Sequence, residues 1–568
     1  MDLSVIAYCS LIPVAVLFIE SLRPNSVTER FLPWYYRFVI ILLTLSIAGN
    51  LVIYNYWGTV LNYRALSYLG DPGEVLLSLT WQQILSLFAG IVVCIGLEFF
   101  IFFKWIYRRA EAKDPGHKMI NAGYFILIIF ILVTLMRGGW QMLPMNESLV
   151  TFSRDQFLNQ AAINPAWHLA YDVYTAGLVE KNPFVKLPGD KANEIVKELL
   201  TRKDSLAPRI FSGKDLNIVI LILESFNSDL VEATGGEKNL TPQFNRLVND
   251  GLLFSNLYSS GGRTDQGIVS VLNGWPATPY HSIMRSQEKS RRLPSLTHTC
   301  SEHHYKTSFY YGGESNFSNL DIYCLNEGFN RIVELQDFPA NVPKGKWGVP
   351  DENVFEKMEH DLDQEPEPFF SVAMTLSNHE PFDVPGPRRF QGNDEVGNFK
   401  NAAAYADDCL GKFFRYAEKQ SWYPRTIFIL VADHGHILPM HRSDVRPESH
   451  RIPMLWFGNP LLPEFRGQKI NILGGHHDLV ATLLPQLNWN DSAFHWSKNL
   501  LAPDAKNFAY YQLEHMLGWL EDKDWVLYSY HRDEILNNSK AISTAVRDSL
   551  LMHGSAFIQE LYKEYQSY

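Results

Sequence analysis

Residues 217–229 read NIVILILESFNSD, and residues 259–279 read SSGGRTDQGIVSVLNGWPATP. The first stretch is a short apolar run that ends in a carboxylate, Glu224, which is typical of a strand buried on both faces of a parallel sheet. The second places a Gly-Gly-Arg-Thr turn before a helical pattern, so Thr264 falls at the start of a helix. The two stretches predict a strand-end carboxylate and a helix-start hydroxyl that form half of one site.

Length, charge and cysteine content limit the classes of function. The 568 residues exceed one ordinary domain, and the formal net charge is −11. Without a basic stripe, nucleic acid is not expected as a partner. The five cysteines include no C-x-x-C pair, which argues against a zinc ribbon. Cys300 and Cys324 would pair only in an oxidising exterior, and we expect them to be free buried thiols.

The first 140 residues hold apolar runs of bilayer-spanning length, about 17–25 residues each. The four predicted spans are Leu3–Ile19, Phe38–Trp57, Ile84–Tyr107 and Met119–Met136. Arg and Lys concentrate in the loops after the first and third spans, which places those loops in the cytoplasm and everything after Arg137 outside. This orientation also places Met1 outside. Either the N-terminus is external, or one more span precedes the sequence.

After the spans, the chain reads as a linker and a soluble domain. The linker has helical patterns at Ser153–Ala162 and Asp190–Lys203, and the soluble domain alternates short apolar runs with helices. That alternation predicts an α/β domain with a mostly parallel sheet covered by helices. The predicted division is a transmembrane bundle at 1–137, a helical linker at 138–212, a catalytic domain at 213–500 and a C-terminal strand-and-helix subdomain at 501–568.

The predicted elements of the soluble part can be placed along the chain. The strands are expected at 216–223, 305–311, 368–376, 426–432 and 452–458. The helices between them are expected at Leu240–Asp250, Leu293–His303, Ala402–Lys419 and His477–Leu487. The C-terminal subdomain is expected to hold a strand at Trp525–Tyr530 and a helix at Ala541–Tyr565.

Polar side chains follow three of these strands, and ligand sites in open α/β sheets lie at the carboxyl ends of the strands. Glu224, His379 and the pair Asp433-His434 occupy these positions. Two carboxylates, one imidazole and the Thr264 hydroxyl form a four-ligand set that suits Mn²⁺ or Mg²⁺, with Zn²⁺ as an alternative. The sequence therefore predicts one divalent metal at this edge.

Such a site supports attack on phosphorus. A metal-bound threonine loses its proton more readily than a free one, so Thr264 is the candidate nucleophile. His379 would protonate the leaving alkoxide or hold the phosphate. The free backbone N–H groups at the helix start also favour a phosphate-like anion. Taken singly, a threonine after glycines is more often a helix cap, and a strand-end carboxylate often caps a helix. Their combination at one edge favours the functional reading.

Seven motifs point to a known family. They are LILES (221–225), GRTDQG (262–267), LPSL (293–296), SFYYGG (308–313), WGVPDE (347–352), TLSNHEPF (375–382) and VADHGH (431–436). With these motifs the soluble domain resembles the lipoteichoic acid synthase-like group of the alkaline phosphatase/sulfatase superfamily, which includes membrane phosphoglycerol transferases. The preceding helical spans are also similar to that group. Its members usually have five spans, which agrees with a further span upstream.

The resemblance implies a mechanism and its residues. One divalent metal, Mn²⁺ above all, is bound by Glu224, Thr264, Asp433 and His434. Thr264 becomes a phosphothreonine, His379 contacts the substrate phosphate, and Trp347 lines the headgroup pocket. The donor is a membrane phospholipid, and the acceptor is an extracytoplasmic glycan, polymer or lipid. The protein is then a multi-pass protein of the cell (inner) membrane with its catalytic domain outside the cytoplasm.

The sequence departs from the family at one position. Lipoteichoic acid synthases carry an arginine two residues after the pocket tryptophan, where this chain has Val349. Arg263, beside the nucleophile, is the candidate substitute. Phosphoglycerol is therefore the first expectation for the headgroup and phosphoethanolamine the second. Further histidines would either bind a second metal or, as we prefer, support the first site: His436, His450 and His477.

Two other functions stay open. A metal-dependent phosphodiesterase shares the first half-reaction and would use water as the acceptor. A sulfatase is disfavoured, because it needs Cys or Ser in a C/S-x-P-x-R context and this chain has Thr264-Asp265-Gln266-Gly267. A non-catalytic membrane protein that binds or senses lipid belongs to a different class. The four competent ligand residues argue against it.

Overall fold

The computed structural model describes residues 1–22, 26–57, 60–62, 81–107, 118–141, 144–150, 152–153, 156–176, 182–201, 207–279, 282–513, 516–530 and 532–568. The chain divides into two compact units, Met1–Lys181 and Asn182–Tyr568. The four-part division expected from the sequence is finer than this and stays a prediction.

The first unit is helical. Its helices are α1 (Asp2–Leu22), α2 (Ser26–Trp57), α3 (Trp81–Ile101), α4 (Lys118–Arg137), α5 (Gln156–Ala162) and α6 (Pro165–Ala176). By length and composition, three segments of the described residues are able to cross a membrane: Asp2–Ser21, Phe31–Tyr54 and Leu85–Ile106. They correspond to the first three predicted spans. The fourth falls in α4, whose described apolar part, Ala122–Arg137, is shorter.

Some residues used in the sequence predictions lie outside the described residues. They are Arg23, Arg108, Arg109 and Lys113, on which the membrane orientation rests, and Lys203, the predicted end of the second linker helix. That helix is observed as α7 (Gly189–Leu200) in the second unit, and the first linker helix is observed as α5.

The second unit is built on a large sheet and a small one. The strands of the large sheet are β1 (Asn217–Leu223), β2 (Leu252–Tyr258), β3 (Lys306–Tyr311), β4 (Arg331–Val333), β5 (Phe369–Met374), β6 (Thr426–Ala432), β7 (Arg451–Phe457), β8 (Gln468–Ile470) and β9 (Gly474–Gly475). Its helices are α8 (Pro242–Val248), α9 (Thr264–Asn273), α10 (Gln287–Ser290), α11 (Leu296–Glu302), α12 (Leu320–Asn326), α13 (Asp351–Leu362), α14 (Glu395–Ala417), α15 (Pro447–His450), α16 (Leu479–Gln486) and α17 (Thr544–Ser567).

The large sheet confirms the predicted fold class. Its strand order is β4-β3-β5-β1-β6-β7-β2-β8, with β9 paired to β2. The run from β4 to β6 is parallel, and β7 pairs antiparallel with both β6 and β2. Every residue of β1, β5 and β6 is buried. This is the expected result for central strands covered on both faces, and it explains their unbroken apolar sequence.

All five predicted strands belong to this sheet, and the sequence analysis missed several other elements. Helix α13 was missed although Val354, Phe355, Met358 and Leu362 give it a buried face at helical spacing. Helix α14 begins at Glu395, seven residues before the predicted start, because Asp394 caps it by accepting a hydrogen bond from the Gly397 N–H at 3.0 Å.

The C-terminal part forms more sheet than the sequence predicted. Four antiparallel strands follow one another: β10 (Phe508–Leu513), β11 (Met516–Glu521), β12 (Asp524–Ser529) and β13 (Glu534–Asn538). Only β12 was expected. Helix α17 packs on this sheet, and the ring of its Phe557 lies 5.4 Å from that of Trp519 and 6.0 Å from that of Phe508. The Gln559 side chain of α17 accepts hydrogen bonds from the backbone of Lys186 and Leu187.

Candidate active site and metal centre

Two carboxylates meet because their strands are neighbours. Strands β1 and β6 are parallel and paired up to Leu223 and Ala432. The next residues, Glu224 and Asp433, therefore leave the sheet side by side at its carboxyl edge. Strand β5 pairs with the other side of β1, so the segment that carries His379 leaves at the same edge. The register of the sheet thus brings the three predicted strand ends together.

Glu224, Asp433 and His434 form a buried cluster with the spacing of metal ligands. One ligand atom from each lies within 4.8 Å of the others, and among the described residues this is the group of His, Cys, Asp and Glu side chains with such spacing. The His434 Nε2 atom lies 3.5 Å from Glu224 Oε1 and 3.4 Å from Asp433 Oδ2. No more than 2% of either carboxylate side chain is exposed to solvent.

Burial and mutual charge shift the pKa values of all three side chains in the cluster. Burial raises the pKa of Asp433 to about 7, and the Glu224 charge adds to this. Burial also disfavours charge on Glu224, but the hydrogen bond and charge of His434 outweigh it and lower its pKa to about 2. On His434, burial is outweighed by the Asp433 and Glu224 charges, which raise the imidazole pKa to about 10. The pocket therefore favours a cation.

Thr264 enters this cluster from the first turn of α9. Its Oγ1 donates a hydrogen bond to Glu224 Oε2 at 3.1 Å. The helix approaches closely because position 267 is glycine: a Cβ atom there would lie 2.3 Å from the Asp433 carbonyl oxygen. The spacing of GRTDQG thus has a physical reason, since Gly267 lets α9 rest on the backbone that carries Asp433.

The donor atoms fit a single divalent cation. Asp433 Oδ1 accepts hydrogen bonds from the backbone N–H groups of Ser225 and His434, whereas its buried Oδ2 has no hydrogen-bond partner. The His434 Nδ1 lies 2.8 Å from the Gly435 carbonyl oxygen, so we assign Nδ1–H as the donor; Nε2 would then be the nitrogen that a metal ion binds in exchange for its proton. Oxygen atoms from Glu224, Asp433 and Thr264 with one imidazole nitrogen suit Mn²⁺ or Mg²⁺.

His379 and Trp347 lie where this centre opens. A cavity of about 290 Å³ is lined by Glu224, Thr264, His434 and His379, among others. His379 also lines an adjoining groove with Trp347. The two rings lie 4.5 Å apart, and the Trp347 indole N–H donates to the Glu380 carbonyl oxygen at 2.5 Å. Of the predicted site residues, five line the cavity, Trp347 lies in the adjoining groove, and Asp433 lies in the buried cluster with Glu224 and His434; the five are Glu224, Arg263, Thr264, His379 and His434.

Some of the other residues named in the sequence analysis line the cavity or the groove, and others lie elsewhere. Arg263 lines the cavity with an exposed side chain. Val349 lies in the groove but is buried, and its N–H donates to the Gly312 carbonyl oxygen at 2.9 Å. His436 lines the cavity, and its Nδ1 accepts a hydrogen bond from the Leu438 N–H. The other two histidines are engaged elsewhere: His450 with the Asp444 carbonyl and the Tyr511 ring, and His477 beside Asp478.

The sequence analysis missed residues that support the centre. Ser225 has a left-handed backbone (φ 52°), and its hydroxyl donates to Glu224 Oε1 at 2.9 Å. A positive φ at a non-glycine residue marks strain of the kind found at functional sites. Asn378 donates to the carbonyl oxygens of Glu224 and Ser225. Both lie inside quoted motifs, so the motifs were the available signal. Arg285 also lines the cavity, and no motif includes it.

Comparisons with known proteins agree with this fold. Residues 216–489 match the Sulfatase family model. The chain is 27% identical to a protein in the alkaline phosphatase superfamily from Vibrio parahaemolyticus, whose crystal structure superposes with a TM-score of 0.58. The match covers 68% of this chain and 97% of the Vibrio protein. The second unit thus contains an α/β domain with the alkaline phosphatase/sulfatase-like fold.

More particular relatives confirm the resemblance found in the sequence. The chain is 21% identical over 497 residues to the lipoteichoic acid synthase-like YvgJ of Bacillus subtilis, a match that covers 83% of this chain and 78% of the relative. The crystal structure of the lipoteichoic acid synthase LtaP from Listeria monocytogenes shares the fold, with 18% identity, a TM-score of 0.55, and coverage of 67% and 98% of the two chains.

Proposed function

We propose that this protein is a membrane-anchored transferase that moves phosphoglycerol from a phospholipid to an extracytoplasmic acceptor. The observation that carries the proposal is the Thr264 hydroxyl, which donates to Glu224 at 3.1 Å within the Asp433–His434 cluster. A hydroxyl at a helix start, beside a buried cation site in an open cavity, is arranged for attack on an anionic centre. The relatives named lipoteichoic acid synthase support the transfer reaction.

The first half-reaction follows from the positions of the residues. Thr264 Oγ forms a bond to the phosphorus of the lipid headgroup, and the bond from phosphorus to the diacylglycerol oxygen breaks. The threonine proton passes to water, and His379 supplies a proton to the leaving oxygen, so the products are diacylglycerol, phosphoglycerol-threonine and a His379 ring that has lost one proton. The His379 Nδ1 lies 3.0 Å from the Glu380 carbonyl oxygen, which orients the ring and directs Nε2 to substrate.

The second half-reaction reverses these roles on a new alcohol. His379 accepts the proton of the acceptor hydroxyl, the acceptor oxygen bonds to phosphorus, and the bond to Thr264 Oγ breaks. The Thr264 oxygen regains its proton from water, which restores the starting state. One divalent cation, Mn²⁺ in our proposal, would be held by Glu224, Thr264, Asp433 and His434. When bound, it would lower the pKa of the threonine hydroxyl and neutralise charge on the phosphoryl group.

The charges in the groove beside the cavity would affect which lipid headgroup binds there. The Lys346 ammonium lies 5.4 Å from the centre of the Trp347 ring, so it would repel an ammonium headgroup placed against that ring. An uncharged glycerol meets no such repulsion. Asp383 lines the same groove and would attract an ammonium, and therefore the two lipids must be compared directly.

The test is headgroup release from labelled phosphatidylglycerol and phosphatidylethanolamine in vesicles. We expect release from phosphatidylglycerol with added Mn²⁺, and a loss of about 10³-fold or more in Thr264→Ala, because the bond to phosphorus has no other nucleophile. Labelled phosphate retained on the denatured wild-type protein but absent from the variant would show the threonine intermediate. Equal release by both proteins would overturn the proposal.

Two controls separate the alternative functions. A transferase needs an acceptor for turnover, whereas a phosphodiesterase releases glycerol phosphate into water at the same rate without one. Elemental analysis of the purified protein addresses the non-catalytic reading. An absence of bound divalent metal, together with no effect of Asp433→Ala on headgroup release, would favour a lipid-binding protein over an enzyme.

A further inference from the structure

The structure leaves the substrate phosphate without the arginine that the sequence comparison led us to seek near Trp347. Val349 occupies that place, its side chain is apolar, and it is buried at 1% exposure. A phosphoryl group bound beside Thr264 still carries negative charge that a single divalent cation does not fully offset. Another cation at the cavity wall must then take the place of that arginine.

Arg285 is such a cation, fixed in position by a buried carboxylate. Its Nε donates to Asp265 Oδ2 at 2.7 Å, and only 2% of the Asp265 side chain is exposed. Asp265 directly follows Thr264 in α9, so the ion pair ties the guanidinium to the same helix turn that presents the nucleophile. The Ser282 hydroxyl donates to the Asp265 carbonyl oxygen at 3.0 Å, which joins the Arg285 turn to α9 a second time.

The rest of the guanidinium faces the cavity. Arg285 lines it together with Thr264 and His434, and 40% of the arginine side chain is exposed. Its Nη2 makes one long contact, 3.4 Å to Ser318 Oγ, and within the described part of the chain Nη1 has no hydrogen-bond partner. An arginine whose Nε is held by a carboxylate keeps its Nη groups available for a planar, two-point contact with phosphate oxygens.

Arg263 is a weaker candidate for this role. It precedes Thr264 at the N-terminal boundary of α9, and its side chain is exposed. The ion pair to Asp265 has already reduced the conformational entropy of the Arg285 side chain, which favours Arg285 for this role.

We propose that Arg285, held by Asp265, binds the phosphoryl oxygens of the donor headgroup and of the phosphothreonine, in place of the arginine absent at position 349. This inference rests on the proposed function for the identity of the donor. The binding of inorganic phosphate tests the anion site without any lipid reaction.

The experiment measures two quantities on the full chain in detergent with Mn²⁺ present: the Kd for inorganic phosphate by calorimetry, and kcat/KM for headgroup release. For Arg285→Gln we expect phosphate affinity to fall at least about 10-fold and kcat/KM about 100-fold, by analogy with the loss of an oxyanion donor. The affinity for Mn²⁺ should stay within about 3-fold, because Arg285 contacts none of the proposed ligands. Arg285→Lys should recover part of the phosphate affinity, since it keeps the charge but not the fork.

Two further variants control for the loss of an ion pair elsewhere and for poor folding. Arg442→Gln removes a comparable ion pair, to Asp229, outside the cavity lining, and should leave phosphate affinity unchanged. Asp265→Asn combined with Arg285→Gln avoids a buried unpaired carboxylate if the single variant folds poorly. The inference is overturned if phosphate affinity is unchanged in Arg285→Gln and in the Asp265→Asn/Arg285→Gln double variant, or if Arg263→Gln alone abolishes it. If phosphate binds through Arg285 but no lipid reacts, the proposed function fails and the anion site stands.

Discussion

At the scale of single residues, the site depends on atoms left without protein partners. The Asp433 Oδ2 atom is buried, and no described residue donates a hydrogen bond to it. An orphaned carboxylate oxygen in a dry pocket is costly, because burial disfavours its charge. Here Glu224 and His434 lie close enough for one ion to satisfy all three side chains. The residues thus form a ligand set whose stability depends on what occupies it.

Removing one ligand should therefore abolish tight metal binding. We expect Glu224→Gln to weaken Mn²⁺ binding about 100-fold or more, because even residues behind a ligand sphere cost 10–100-fold when changed. Calorimetric titration of Mn²⁺ into chelator-treated protein measures this. Glu380→Gln is the matched control, since Glu380 lines the same cavity without joining the cluster, and it should bind Mn²⁺ as the parent does. Equal affinities for the two variants would remove Glu224 from the ligand set.

At the scale of elements, the nucleophile is placed by the packing of α9 against the end of β6. Gly267 makes that contact possible, and the strand register places Glu224 beside Asp433. The same glycine lies in GRTDQG, so one motif supplies both the hydroxyl and the close approach that brings it to the cluster of Glu224, Asp433 and His434.

Adding one methyl group should separate these elements. In Gly267→Ala the new Cβ would lie 2.3 Å from the Asp433 carbonyl oxygen, which is backbone and cannot swing aside. We expect a loss of about 1–3 kcal/mol in the free energy of unfolding, as for other overpacked sites, and a marked fall in headgroup release. Thermal unfolding followed by tryptophan fluorescence measures the stability.

Gly262→Ala is the stability control for that variant. A Cβ at position 262 would meet nothing within 4 Å, so stability should change by less than about 0.5 kcal/mol. A Gly267→Ala protein as stable as the parent would show that the helix does not need its close contact with β6.

At the scale of the whole molecule, the chain joins a unit with long apolar helices to a catalytic unit. Three described helical segments are able to cross a membrane. The distribution of basic residues predicts that the second unit lies outside the cytoplasm. That side would expose the site to the acceptors of a headgroup transferase, and it makes the orientation part of the functional proposal.

Orientation can be tested by labelling a surface cysteine. Lys523 lies exposed in the turn between β11 and β12, and the native cysteines of the second unit, Cys300, Cys324 and Cys409, are buried and unpaired. We expect Lys523→Cys to react with a membrane-impermeant maleimide in intact spheroplasts. A variant with a new cysteine in the loop after the third helix, at Lys113, should react only after lysis. The reverse labelling pattern would show that the second unit lies in the cytoplasm.

The amino-acid sequence by itself determined the strands, the strand-end residues and the helix-start threonine. Buried parallel strands are unbroken apolar runs, and the residue after each run must lie at the sheet edge. It could not determine that Arg285 meets Asp265, because that contact joins side chains twenty residues apart on a turn with no periodic pattern. Nor did it find β10, β11 and β13, whose place is set by pairing with one another and by packing under α17. Only the tertiary structure decided that Arg285, held by Asp265, lines the same cavity as Thr264.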